Sequence, residues 1–207
     1  MYFVVMPRHV DHDARRLEIA EIAATLIAAH GPDGASLRAL AAAAGWSTTA
    51  VTHYFANKRE LLQHAYRAAT RHAAIRVAAV SPRASDPLRS CCEAVLPLDA
   101  ERRQDCQTWL AFMGAAVGDP VLAAMQRRRV AGFRELLAAT IAAEQADGRL
   151  DPQLDAESEA RDLLALVHGI SFEAAFDAKD WPPARQRAVL LRALGRLRAR
   201  ALEEVAS

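Results

Sequence analysis

The stretch from Ser47 to Lys58, STTAVTHYFANK, concentrates polar groups able to contact a ligand: hydroxyls on Ser47, Thr48, Thr49 and Thr52, an imidazole on His53 and an ammonium on Lys58. At about 100° per residue, Ala50, Val51, Tyr54 and Phe55 fill one arc of a helix. Thr48, Thr49, Thr52 and His53 fill the other. The first arc can bury against a bundle. The second turns outward groups that can meet base edges and phosphates in a major groove. An ordinary amphipathic surface helix has the same period, so spacing alone leaves both readings open.

Catalytic chemistry is hard to motivate. The chain has no nucleophile elbow, paired-histidine motif or phosphate-cradling glycine loop. Its three cysteines, Cys91, Cys92 and Cys106, are odd in number and two are adjacent. That arrangement gives neither a disulfide framework nor metal-ligand spacing, and fits small buried hydrophobes in a reducing compartment. His168 sits among Leu164, Val167 and Ser171, where it either orients a ligand or completes a core. We expect no metal, no cofactor and no enzymatic activity.

The elements that must position these groups read as helices throughout. Leu17, Ala20, Ala24 and Ile27 form one stripe of a first helix over Asp13–His30, which Gly31-Pro32-Asp33-Gly34 ends. Ser36 caps a short second helix through Ala44 and Gly45 stops it. Ser47 caps a third through Phe55. Asn57, with Glu60 three residues on, opens a fourth as a capping box. It runs unbroken until Ser81-Pro82. Further helices are predicted over Pro87–Leu96, Ala100–Val117, Pro120–Asp147, Asp155–Ala178 and Pro183–Val205, several with proline in the first turn. The fold class is all-α, with about nine helices.

Composition agrees. The chain of 207 residues is 52% hydrophobic and 25% charged, as suits a protein with a real core. Net charge is +1, but residues 1–80 hold nine basic side chains against six acidic ones, a mild bias compatible with phosphate contacts. No apolar run reaches membrane-spanning length. Met1–Met6 is too short for a signal-peptide core and has no basic stretch before it. Met6 offers an alternative start. A cytoplasmic location follows.

The residue order adds a resemblance. Ser36, Ala41, Ala44, Gly45, Ser47, Tyr54, Phe55, Lys58 and Leu61 match at fixed spacing the N-terminal pattern of the TetR family of repressors. Many members place Tyr where Thr52 stands and His where Tyr54 stands. The variant STTAVTHYF is instead similar to the BetI-type branch, named for repressors of glycine-betaine synthesis. LPLDAERR (Leu96–Arg103), WLAF (Trp109–Phe112) and ADGRLDP (Ala146–Pro152) extend the likeness over most of the chain.

The resemblance implies a three-helix helix-turn-helix DNA-binding domain over residues 13–73 and a larger ligand-binding and dimerisation domain over 74–207. It implies a dimeric repressor on a palindromic double-stranded DNA operator, released by a small-molecule inducer. Thr48, Thr49, Thr52 and His53 would lie nearest the DNA, with Ser36, Ser47 and Tyr54 beside them. Lys58 would hold a phosphate where helix dipole and ammonium reinforce each other. Arg38, Arg8, Arg15 and Arg16 are further candidates.

Trp109, Phe112 and Met113 lie at i, i+3 and i+4. With Cys106, Phe133, His168, Phe172 and Phe176 they line an apolar pocket or form plain core. Leu163, Leu164, Val167 and Ile170, with Leu190, Leu194, Leu197 and Ala201, give the last two helices broad apolar faces. Two such helices per subunit can build a four-helix interface about a two-fold axis, and internal packing is the competing account. A helical small-molecule-binding or scaffold protein that no longer binds DNA is the alternative, because the exposed arc carries no Lys or Arg. Betaine or choline chemistry does not follow, since no cage of acids and aromatics can be assembled from sequence.

Overall fold

The computed structural model describes residues 12–203, and the expectations placed on Met1–Met6, Arg8 and Val205 lie outside them. Among the described residues the elements are nine helices and no strand: α1 (His12–Gly34), α2 (Leu37–Ala44), α3 (Thr48–Thr52), α4 (Lys58–Ala78), α5 (Pro87–Val95), α6 (Ala100–Val117), α7 (Pro120–Ala146), α8 (Ala156–Phe176) and α9 (Pro183–Glu203).

Local signals set most boundaries. The side chains of Ser36, Ser47 and Asn57 accept from the backbone amides of Ala39, Ala50 and Glu60, each satisfying an amide that its helix cannot. Gly45 ends α2 at φ 69°, ψ 28°, a left-handed conformation that costs glycine nothing. The capping box at α4 is modified. Glu60 Oε2 accepts from the amide of Ala56, one residue before the cap, at 2.8 Å.

One boundary departs from expectation. α3 stops at Thr52 instead of continuing to Phe55. A long-range contact lies just past this end: Arg16 of α1 donates from Nε and Nη2 to the carbonyl of Tyr54 at 3.1 and 2.9 Å, and from Nη2 to Glu60 at 2.8 Å. These bonds satisfy the Tyr54 carbonyl beyond the last turn of α3, and no local pattern announces them.

Two cores form. One joins Ile19, Ile27, Leu40, Val51 and Leu61 of the first four helices, and Phe55 between α3 and α4, to Phe112 and Ala116 of α6 and Leu122 of α7. Here Phe112 is stacked on Tyr66 of α4, centroids 3.8 Å apart. The other gathers α5, α7, α8 and α9 around Leu88, Cys92, Leu137, Ile141, Leu163, Val167, Leu190 and Leu194. α4 and α6 therefore lie between the two. Two of the BetI-like segments supply joints: Leu96 and Leu98 enter the second core and Asp99 caps α6. Gly148, at φ 70°, turns the chain after α7, so that Leu150 packs inward.

Candidate nucleic-acid interface and cavity

α3 separates as its sequence requires. Val51 and Phe55 are buried at 0% and 1% exposure, while Thr48, Thr49, Thr52 and His53 are exposed together. Ser36, Ser47 and Arg38 are exposed beside them, and Tyr54 is half-buried, its ring between those of Trp46 at 5.9 Å and His12 at 5.6 Å. The hydroxyl of Thr52 donates to the carbonyl of Thr49 at 2.8 Å. What Thr52 offers outward is thus its methyl group and its oxygen lone pairs.

The basic residues divide. Arg16 clamps the end of α3. Arg15 pairs with Glu18 and lies over the Trp46 ring at 5.1 Å. Arg38 stands exposed on α2. Lys58 has a partner its sequence does not suggest: Nζ is 2.5 Å from Oδ1 of Asp33. The hydrogen bond and charge of Lys58 hold that carboxyl below its ordinary range. Next in α4, Arg59 pairs with Asp119, the N-cap of α7, at 2.7 Å.

Farther along, α4 forms one wall of a cavity of about 90 Å³ closed by α6, α7 and α8. Of the expected pocket residues, Cys106, Trp109, Phe133 and His168 line it. Phe112, Met113 and Phe172 do not: Phe112 stacks on Tyr66 in the first core, Met113 is half-buried outside the lining, and Phe172 is 51% exposed with Phe176 on the outer side of α8. The i, i+3, i+4 rule puts Phe112 and Met113 near Trp109, but a helix in contact on two sides needs apolar residues facing both.

The polar lining was not anticipated. Thr70 and Arg76 come from α4, Arg102 and Asp105 from α6, Gln126 and Arg129 from α7, and Ser171 from α8. On α7, Gln126, Arg129, Val130 and Phe133 follow an i, i+3, i+4, i+7 course, a legible signal masked by the run Arg127–Arg129. His168 lies 5.1 Å from Trp109, ring to ring. Burial, and then the charge of Arg129, push its pKa below the ordinary histidine value. Asp105 accepts from Arg76 at 3.1 Å and faces His72 at 3.1 Å. His72, Asp105 and Glu101 form a group whose ligand atoms lie within 4.8 Å of one another, and Arg76 pairs with both carboxylates. All three cysteines are unbridged and buried. Burial raises each thiol, that of Cys106 to about 12, far from reactive thiolate.

The residues expected at a dimer interface pack within one chain. Leu163, Val167, Leu190, Leu194 and Leu197 are all buried inside a single chain, between 0% and 7% exposed. Internal packing accounts for them. The apolar periodicity of α8 and α9 marks the side facing their own core.

Residues 84–199 match the model described as the C-terminal part of the BetI-type transcriptional repressor. The chain belongs to the TetR family. Residues 19–65 match the model of the tetR family of bacterial regulatory proteins, which covers the helix-turn-helix described above. The TetR relative PksA, an HTH-type transcriptional regulator of Bacillus subtilis, is 31% identical over 83% of this chain and 84% of its own. BetI of Burkholderia mallei is 28% identical over 82% and 86%. A crystal structure of a transcriptional regulator from Rhodococcus superposes with TM-score 0.78 at 29% identity, covering 88% of this chain and 94% of that one. A regulator from Saccharomonospora viridis, solved in complex with choline, shares the fold at TM-score 0.76 and 21% identity over 87% and 95%. The protein is thus a TetR-family transcriptional regulator with a DNA-binding helix-turn-helix, and this family does not favour a scaffold that has lost DNA. Among the described residues, no helix is long and apolar enough to cross a membrane.

Proposed function

We propose that this regulator is a cytoplasmic repressor that binds a palindromic operator as a homodimer and lets go when a small organic molecule fills the cavity. Thr48, Thr49, Thr52 and His53 read bases, while Lys58, Arg38, Ser36, Ser47 and Tyr54 contact the backbone. The observation that carries the reading is the course of α4. Lys58 begins it beside the recognition helix, and Thr70, Ala73 and Arg76 stand on the cavity wall. A ligand that needs the wall in a different position shifts the equilibrium between DNA-competent and released forms by its differential affinity. The Arg59–Asp119 pair ties the same end of α4 to α7, which supplies Gln126 and Arg129 to the cavity.

Two heads are needed because one short helix makes few base contacts, and fixed geometry between two multiplies their effect. The outer faces of α8 and α9 suit that contact. Ala165, Gly169 and Phe172 share one exposed stripe, and Ala188, Leu191 and Gly195 another. A Cβ built at Gly169 or Gly195 would meet nothing within 4 Å, so the chain's own packing does not require glycine there. Small residues on an open face let a second helix approach closely. A gel shift with DNA flanking the gene tests the reading directly. A shifted band that fragments of unrelated sequence fail to compete away supports it, and no sequence preference refutes it.

A further inference from the structure

We propose that the cavity takes a small organic carboxylate with an apolar body, that Arg129 is its counter-ion, and that quaternary ammonium compounds are excluded. The inference rests on reading this cavity as the inducer site. Its charged lining is Arg76, Arg102, Arg129 and Asp105. Asp105 is taken: Oδ2 accepts from Arg76 and Oδ1 faces His72, both at 3.1 Å. Arg102 pairs with Asp99 at 3.0 Å and donates to the carbonyl of Glu93 at 3.0 Å.

Arg129 has no ion pair among the described residues. A guanidinium offers five N–H donors in a planar fork that matches a carboxylate, and charge-assisted bonds of this kind are the strong ones. One turn earlier on α7, Gln126 Oε1 accepts from the Tyr66 hydroxyl at 2.7 Å, which leaves the amide NH₂ to donate to the same anion. Trp109, Val130, Phe133 and Leu164 supply an apolar wall for the rest of the molecule. Burial penalises the charge on Arg129 and presses His168 toward its neutral form; an entering anion relieves both. A quaternary ammonium ion would meet the opposite: an uncompensated cation, and one carboxylate already shared by two partners.

The test uses hexanoate, benzoate and choline chloride as probes, read by calorimetry and by thermal shift of the full chain, with an operator gel shift alongside. Hexanoate or benzoate is expected to bind and raise Tm, and choline to do neither. R129M should weaken carboxylate binding by about tenfold or more, and R129K should recover part of it. If R129M fails to melt cooperatively, R129Q carries the same comparison. Tighter binding of choline than of either carboxylate overturns the proposal. So does equal carboxylate affinity in R129M, or no carboxylate binding at millimolar concentration. Carboxylates that bind through Arg129 yet leave the operator complex intact would overturn the inducer reading while leaving the anion site standing.

Discussion

The ammonium of Lys58 lies 2.5 Å from the carboxylate of Asp33, so the first residue of α4 shares its charge with the C-terminal end of α1. A phosphate must compete with that carboxylate for the cation. Asp33→Asn should therefore tighten DNA binding and steepen its salt dependence. Lys58→Ala should weaken binding about equally on all sequences and lower the salt slope by about one. Fluorescence anisotropy across a salt series checks both. Unchanged slopes in the two variants would remove Lys58 from the interface.

Thr49 and Thr52 should behave differently on substitution. Because the Thr52 hydroxyl is spent on the Thr49 carbonyl, Thr52→Val keeps the methyl group and most of the sequence preference. Thr49→Val removes an outward hydroxyl and should cost about 1–3 kcal/mol of discrimination at one base pair. Binding-site selection with both variants reads this. Identical preferences for wild type and Thr49→Val would refute direct readout by Thr49.

Leu191→Glu places a carboxylate on the outer face of α9, where Leu191 is 40% exposed. It should yield folded monomers in light scattering, with unaltered circular dichroism. Leu194→Glu, 1% exposed within one chain, should instead unfold the protein, since an unpaired buried charge costs several kcal/mol. A Leu191→Glu protein that stays dimeric moves the interface elsewhere.

Arg198 of α9 donates to both carboxylate oxygens of Asp86, at 3.0 and 2.7 Å, and reaches Glu144, which is 1% exposed. Asp86 caps α5, and Glu144 accepts from the amide of Leu88 at 3.3 Å. Arg198→Ala should destabilise by about 1–3 kcal/mol in urea titrations, less than a fully buried pair because Arg198 is partly exposed. No change in the midpoint would show that water replaces the guanidinium.

Acid should weaken the fold in two stages. Burial lowers the pKa of His168 and of His64 below 6.5, so the folded chain binds those protons less readily than the unfolded one. Their contribution is complete above pH 6.5 and is lost as pH falls from there through the folded values. Asp86 acts later. Burial alone would raise its pKa, but Arg198 and the Arg89 amide outweigh that and hold it below 3.8; its contribution is lost only as pH falls beneath that value. His168→Gln should flatten the first stage in thermal melts between about pH 7.5 and 5. An unchanged profile would show that His168 does not contribute.

What the sequence made legible follows the range of the interactions. Caps at Ser36, Ser47 and Asn57, the turn at Gly45 and the division of α3 into two arcs depend on neighbours a few residues away. Four of the eight residues expected at a pocket line the cavity for the same reason, as bulky or polar members of recognisable helix faces. The clamp from Arg16 to Tyr54 and the pairing of Lys58 with Asp33 join residues 38 and 25 positions apart, and no periodicity encodes them. Leu190 and Leu194 pack inside one chain, and their spacing does not say so because an apolar stripe states that a face is covered, not by what.

The length of α4 sets a scale for signalling. Its 21 residues make a rod of about 30 Å, with Arg76 near one end and Lys58 at the other. A tilt of about 5° pivoting at the Arg76 end would carry Lys58 sideways by about 2–3 Å over that length. In a two-fold dimer the displacement occurs in both subunits, so the spacing between recognition helices could change by about twice as much. Major grooves on one face of B-DNA recur every 34–36 Å or so, and a mismatch of that size in the protein's span is enough to take one head out of register whenever the other is seated.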